Sequence, residues 1–293
     1  MTMMSESPPL TPGDALPGFA PGLYIVATPI GNLGDLSPRA AAVLAGVALI
    51  AAEDTRVTAR LLAHIGAATP MTPYHDHNAD AVRPRLIARM GSDAVALVSD
   101  AGTPLISDPG YKLVRDARAA GIAVVTIPGP CAAVAALTLA GLPTDRFLFA
   151  GFLPVRAGAR AAAIAEVAGV RASLVFYEAA GRTAATLTAL AAGLGDRPAA
   201  VAREISTRFE ETVTGSLTEL AARYADAPPR GEVAIVVAPP FPAAAPAAAD
   251  LDAALRAALP DRSLSAAASD VAAAFGVPRK TVYARALALK DEV

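Results

Sequence analysis

The chain reads as an α/β protein: two α/β domains plus a small helical C-terminal tail. Three observations predict the α/β part. Short apolar runs alternate with helix-length segments from Leu23 to Val237. Nearly every run stops at a Gly-, Pro- or acid-rich turn, where a strand must end. Hydrophobic residues make up 54% of the chain and charged residues only 18%, enough apolar surface for packed cores and too little charge for a disordered chain.

The first run, Leu23 to Ala27, opens into Thr28-Pro29-Ile30-Gly31-Asn32-Leu33-Gly34-Asp35. Ser37-Pro38 then starts a helix, with Ser as cap and Pro in the first turn, and Gly46 can close it. A second strand, Val47 to Ala52, ends at Glu53-Asp54-Thr55-Arg56, before a helix over Val57 to Ile65. The polar segment Tyr74 to Asn78 precedes a helix over Val82 to Met90. Val95 to Val98 reads as a strand buried in a sheet, halted at Ser99-Asp100 and followed by a loop carrying Gly102, Pro104, Pro109 and Gly110. A carboxylate thus sits at the exit of a central strand, the edge where open α/β sheets bind ligands. A helix over Tyr111 to Ala120 follows, then a strand over Ala123 to Ile127, stopped by Pro128-Gly129-Pro130, and a small-residue helix over Cys131 to Leu139. This alternation predicts a parallel sheet covered on both faces.

Past a hinge at Gly141 to Asp145 the alternation resumes, with strands at Phe147–Phe152, Leu174–Tyr177, Ala199–Ala202, Glu211–Gly215 and Val233–Val237. Pro239 to Pro246 reads as a linker, and short helices are expected from Leu251 onward. The expected organisation is an arm at 1–22, α/β domains at 23–143 and 144–238, a linker at 239–250 and a helical tail at 251–293.

Net charge is −2, so affinity for a polyanion must come from local basic patches. The single cysteine, Cys131, excludes an internal disulfide and a cysteine-rich metal cluster. Residues 1–22 lack the apolar core of a signal peptide. The longest apolar run, Ala40 to Ala52, is shorter than the roughly 20 residues of a bilayer helix. A soluble, cytoplasmic protein without membrane association is expected.

Each constellation has a plain structural reading beside a functional one. The glycines at 31 and 34 fall short of the G-x-G-x-x-G dinucleotide fingerprint. Glu53-Asp54 suits a ribose or merely starts a helix. His75-Asp76-His77 would place both imidazoles on one face of a strand, but no third ligand stands at a motif spacing, so no metal is expected. Pro128 to Ala132 offers a helix N-terminus to a carboxylate or flat ring. Phe176-Tyr177-Glu178 and Arg203-Glu204 follow strands and serve either a cleft or a buried ion pair.

TPIGNLGDLSPRA, AEDTR, VSDAGTPLISDPG, IPGPCAA, GLPTDRFLFAGFLP, YEAAGR, AREIS and GEVAIVV occur here in the order seen in the tetrapyrrole methylase superfamily. Within it they resemble the branch of ribosomal RNA small subunit methyltransferase I, which 2′-O-methylates a cytidine of 16S rRNA in the decoding region of the small subunit. The resemblance implies a two-domain fold, usually a homodimer, that binds S-adenosylmethionine between its domains. Carried over by motif, it implies a cofactor wall of Asp100, Gly102, Thr103 and Ile106, faced by Pro128, Gly129, Cys131 and Ala132, with Tyr177 from the second domain. The family's usual Pro-His-Arg after the Tyr-Glu-Ser motif is replaced by Ala179-Ala180-Gly181-Arg182, so a role for that histidine cannot transfer.

A ribose hydroxyl is a weak nucleophile, and a general base helps. Glu178, Glu204, His75 and Asp54 are the candidates. Val271 to Tyr283 resembles a helix–turn–helix with Pro278 opening its second helix. Arg279, Lys280 and Arg285 on that helix, with Arg182 and Arg203, are the expected RNA contacts. The competing readings are a methyltransferase of a tetrapyrrole or other small molecule, and a non-enzymatic nucleic-acid-binding regulator.

Overall fold

The structure, a computed structural model, describes residues 18–241 and 248–291. Most of the N-terminal arm and of the Pro/Ala linker, at 1–17 and 242–247, lies outside the described residues. The chain forms two compact units, residues 1–240 and 241–293.

The first sheet of the larger unit contains β1 (Gly22–Val26), β2 (Leu49–Ala52), β3 (Met71–Pro73), β4 (Ala94–Val98) and β5 (Val124–Ile127). Its order is β3-β2-β4-β1-β5 and every pairing is parallel. The helices are α1 (Pro38–Gly46), α2 (Thr55–His64), α3 (Ala79–Met90), α4 (Tyr111–Ala119) and α5 (Ala132–Leu139). All five residues of β4 are buried. Ala94, Ala96 and Val98 pack with Leu44 and Leu62 of α1 and α2, while Val95 and Leu97 pack with Leu86 and Leu113 of α3 and α4. That alternation explains the unbroken apolar run of a strand covered on both faces. Ser37 caps α1 by accepting from the Ala40 N–H, with Pro38 in the first turn.

The second sheet contains β6 (Phe147–Phe152), β7 (Ser173–Ala179), β8 (Pro198–Arg203), β9 (Glu211–Ser216) and β10 (Glu232–Val237), in the order β6-β7-β10-β8-β9. Only β6 and β7 run parallel; the other pairings are antiparallel. Helices α6 (Ala157–Val167), α7 (Thr183–Leu194) and α8 (Leu217–Asp226) cover one face around Phe176, Val201 and Ile235. The other face, with Val175, Ala202 and Val236, packs on Ala133, Ala136 and Leu137 of α5. The small-residue helix that follows the first sheet therefore closes the second, and its alanines allow a close approach.

The smaller unit holds α9 (Ala248–Ala258), α10 (Leu264–Phe275) and α11 (Arg279–Asp291) around Leu255, Val271, Val282 and Leu289. Ser263 caps α10, and Gly276, left-handed at φ 65°, ends it. No helix among the described residues is long and apolar enough to cross a membrane.

Candidate active site

The parallel strands of the first sheet deliver their exits to one edge, and hydrogen bonds weave those exits together. Thr28 after β1 pairs with Gly102 after β4 through two backbone bonds of 2.8 and 3.1 Å. The Thr103 hydroxyl donates to the Pro130 carbonyl at 2.9 Å, joining the loops after β4 and β5. After β2 and β4 the link is reciprocal: Asp54 N–H donates to the Asp100 carboxylate at 2.9 Å, and Asp100 N–H to the Glu53 carboxylate at 3.2 Å.

This edge is acidic, and Arg56 acts on Asp100 only through its field, without a salt bridge. Among the described residues no lysine or arginine pairs with Glu53, Asp100 or Asp108. Burial raises the pKa of Glu53 and of Asp100. Burial pushes Asp108 up to about 6, with Glu53, Asp100 and Glu232 adding repulsion against the lowering bond from Ser99. Asp108 thus belongs to the site, although sequence reasoning passed over it. The usable signal was a second acid-then-Pro-Gly turn in the loop that holds Asp100.

Backbone geometry in that loop suits close approach. Gly102 has φ 81°, and Leu105 and Ser107, at φ 76° and 65°, hold the left-handed conformation without being glycine. Such residues persist where the surroundings over-determine them, often at functional sites. A Cβ at Gly129 would stand 2.9 Å from Ala27 Cβ, so only glycine lets these two exits pack. Ile106 is exposed, and Cys131 is half-buried at the start of α5.

Tyr177, on β7, supplies the opposing wall. Its hydroxyl accepts the Ala133 N–H at 2.9 Å, satisfying one of the orphan donors of α5. Its ring meets Phe149 and Phe152 edge-to-face, with centroids 4.8 and 5.6 Å away. Burial raises its pKa above the usual tyrosine range. Asp100, Gly102, Thr103, Pro128, Gly129, Cys131, Ala132 and Tyr177 thus belong to loops and strands that share hydrogen bonds or packing. The set fits a cationic cofactor, with unpaired carboxylates, glycine-backed walls and an aromatic side.

The candidate bases fare differently. Glu178 is a correction. It alternates with Tyr177 on β7 and points to the other face of the sheet, where it is 2% exposed. There it takes bonds from Thr186 Oγ1 at 2.6 Å, Ala179 N at 2.7 Å and Arg182 Nε at 2.6 Å, so it locks the β7–α7 turn. Asp54 caps α2 and pairs with Arg56, whose hydrogen bonds hold its pKa near 2, too low for an effective base. Glu204, left-handed at φ 50°, lies over Gly231 and accepts from Thr207 Oγ1 at 3.3 Å. His75 follows β3 in the loop before α3, because pairing with β2 ends at Pro73. Its ring still meets His77 edge-to-face at 5.9 Å. Its Nδ1 is buried without a partner among the described residues, and the ring acts electrostatically on Glu53.

The expected RNA contacts are mostly committed to partners. Arg182 pairs with Glu178, and Arg203 donates to Glu211 at 2.7 Å across the β8–β9 register. Arg279 donates to Ser265 and Ser269, and Arg285 grips Asp252 through bonds of 2.6 and 2.5 Å. The expectation that Arg279, Lys280 and Arg285 form one free basic face is corrected: only Lys280 has no partner among the described residues.

Strand exits converging on an acidic edge, with Tyr177 of the second sheet against them, define an α/β ligand-binding fold rather than a dinucleotide-binding Rossmann protein. Sequence comparison agrees: the tetrapyrrole (corrin/porphyrin) methylase family model matches residues 22–221, and a model of the RsmI C-terminal HTH domain matches residues 245–290. The chain therefore belongs to the tetrapyrrole methylase family, among relatives curated as ribosomal RNA small subunit methyltransferase I. One, from Mesorhizobium japonicum, is 48% identical over 92% of this chain and 93% of its own length. Another, from Erythrobacter litoralis, is 52% identical over 93% and 96%. Among solved structures, uroporphyrin-III C-methyl transferase from Thermus thermophilus, complexed with S-adenyl homocysteine, shares the fold at a TM-score of 0.52 and 21% identity. That match covers 74% of this chain and 97% of the other.

Proposed function

We propose that this chain is a cytoplasmic, homodimeric methyltransferase. It transfers a methyl group from S-adenosylmethionine to the ribose 2′-oxygen of a cytidine in the decoding region of 16S rRNA. The observation that carries the reading is the acidic edge of Glu53, Asp100 and Asp108, free of salt bridges among the described residues and facing Tyr177, in a chain 48–52% identical to curated rRNA methyltransferases.

S-adenosylmethionine supplies an electrophilic methyl group on a sulfonium. The carboxylates of Asp100, Glu53 and Asp108 attract its cationic groups, while the α5 N-terminus at Cys131-Ala132 suits its carboxylate. Gly102 and Gly129 admit the close approach that side chains would block. Much of the acceleration comes from holding acceptor and methyl about 3–3.5 Å apart. The 2′-hydroxyl proton goes to a base, and among the four candidates His75 alone has a buried side-chain polar atom, Nδ1, without a partner among the described residues.

The test is incubation of purified protein with methyl-labelled S-adenosylmethionine and 30S subunits, followed by nuclease digestion and mass spectrometry. Label in a 2′-O-methylcytidine is expected. Label on a base, or transfer to a porphyrinogen in a parallel reaction but not to RNA, would overturn the reading.

A further inference from the structure

A cleft of about 600 Å³ opens beside β8 and β9, lined by none of Glu53, Asp100, Asp108 and Tyr177. That volume lies in the range of small-ligand sites. Its lining combines Arg203, Arg223 and Arg230 with the acids Glu204 and Glu211 and with Phe209 and Tyr224. Glu211 is shared by two of the arginines, at 2.7 Å from Arg203 and 3.5 Å from Arg223, so that with Glu204 counted the cleft keeps a surplus of one positive charge. Arg230 is exposed and makes no hydrogen bond or ion pair among the described residues.

Two further features point to a ligand. Phe209 is 66% exposed, an aromatic face presented to solvent beside guanidinium groups. Tyr224 is 4% exposed, and its buried hydroxyl has no hydrogen-bond partner among the described residues. An orphaned buried hydroxyl in a cleft is costly unless something fills it. Flat rings and cations around an unsatisfied polar group are what an unstacked nucleobase and its phosphate require.

The loop that carries Phe209 also ties the cleft to the acidic edge. Glu204 and Ser206 hold left-handed backbone at φ 50° and 69°. The Ser206 hydroxyl donates to Asp35, in the loop after β1. Gly31, in the same loop, faces Thr207 so closely that a Cβ would stand 2.5 Å from its methyl group. Phe209 N–H donates back to Thr207 Oγ1 at 3.1 Å, which fixes the aromatic relative to that anchor. Three peptide steps from Ser206 to Phe209 reach at most about 11 Å, so the cleft lies one short loop from the exit of β1.

We infer that this cleft holds an unpaired nucleotide of single-stranded RNA, with its base stacked on Phe209 and hydrogen-bonded to the Tyr224 hydroxyl, and its phosphate on Arg230 and Arg223. The inference rests on the ribosomal-RNA reading above and adds where the strand is gripped outside the methyl-transfer site.

The experiment uses the full chain and a fluorescein-labelled 12-nucleotide single-stranded RNA, with anisotropy measured across a salt series. Phe209→Ala should weaken binding about 5- to 100-fold with the salt slope unchanged, because stacking carries no counter-ions. Arg230→Ala should reduce the slope of log K against log salt by about 0.7, the loss of one phosphate contact on a single strand. Calorimetric titration with S-adenosylmethionine, unchanged in both variants, confirms that they fold. Wild-type RNA affinity in Phe209→Ala, or an unchanged slope in Arg230→Ala, would overturn the inference. So would polyglutamate displacing the RNA as well as unlabelled RNA does, which would assign the cleft to an acidic protein. RNA binding with these signatures but no methylation of 30S subunits would retain the cleft and defeat the enzymatic reading instead.

Discussion

The two sheets treat their acids in opposite ways. At the edge of the first sheet Asp100 raises the pKa of Glu53, both raise that of Asp108, and the three accept from backbone N–H groups and a serine hydroxyl with no salt bridge among the described residues. In the second sheet Glu178 and Glu211 each have arginine partners, and Arg230 is left over. An acid neutralised by arginine contributes to folding and is lost to ligands. Acids left in mutual repulsion cost stability and are relieved by an incoming cation. The comparison assigns the donor, a cation, to the first sheet and the polyanionic acceptor to the second.

The largest expected effect lies in the second sheet. Glu178→Ala removes a buried carboxylate that ties Arg182, Thr186 and the Ala179 N–H. It should destabilise the protein by about 3 kcal/mol, the low end for breaking a buried pair, because Arg182 is 28% exposed and can hydrate. Urea unfolding measures this. S-adenosylmethionine affinity of the folded variant should not change. Unchanged stability with lost methyl transfer would restore Glu178 as a base and break the comparison.

Next comes Asp100→Ala, on the first sheet. Loss of one charged partner should weaken S-adenosylmethionine binding roughly 10- to 100-fold, the equivalent of about 1.5–3 kcal/mol for a charged hydrogen bond. Binding of single-stranded RNA should stay at the wild-type level. Calorimetry and anisotropy on the same preparation decide it, and a loss of RNA affinity with donor affinity intact would reverse the assignment of the two edges.

Much of the first edge was legible because its signals are local. Asp100, Gly102 and Gly110 stand within a dozen residues of one another, and a strand that stops at an acid and two Gly-Pro turns has few ways to fold. Ser37-Pro38 announced α1 for the same reason. What stayed hidden depends on distant partners. The strand β3 is three residues long, ends in proline and exists only through its pairing with β2. The parity of β7 puts Tyr177 and Glu178 on opposite faces, but which face meets the cleft is set by α5, which packs across from the first half of the chain. The antiparallel pairings of β8, β9 and β10 leave no mark in the alternation of strand and helix. Arg279 and Arg285 look like a basic face until Ser265, Ser269 and Asp252 claim them from 14, 10 and 33 residues away.

The smallest effect is the most direct test of repulsion at the first edge. Asp108 has a folded pKa of about 6 against an ordinary value of 3.8, raised by burial and then by Glu53, Asp100 and Glu232. A raised carboxyl binds its proton more tightly in the folded chain, so folding loses stability as pH rises between the two values. Its cost is absent below about pH 3.8 and complete above about pH 6. Asp108→Asn should therefore stabilise the protein at pH 7.5 by roughly 1–2 kcal/mol after screening, and by little at pH 4.5. Urea midpoints of both proteins at the two pH values give the difference. The donor's cation relieves the same repulsion, so wild-type affinity for S-adenosylmethionine should rise from pH 5 to pH 7.5, and the variant should lose that rise. If Asp108→Asn destabilises equally at both pH values, the Ser99 hydrogen bond outweighs the repulsion and Asp108 belongs with the neutralised acids of the second sheet.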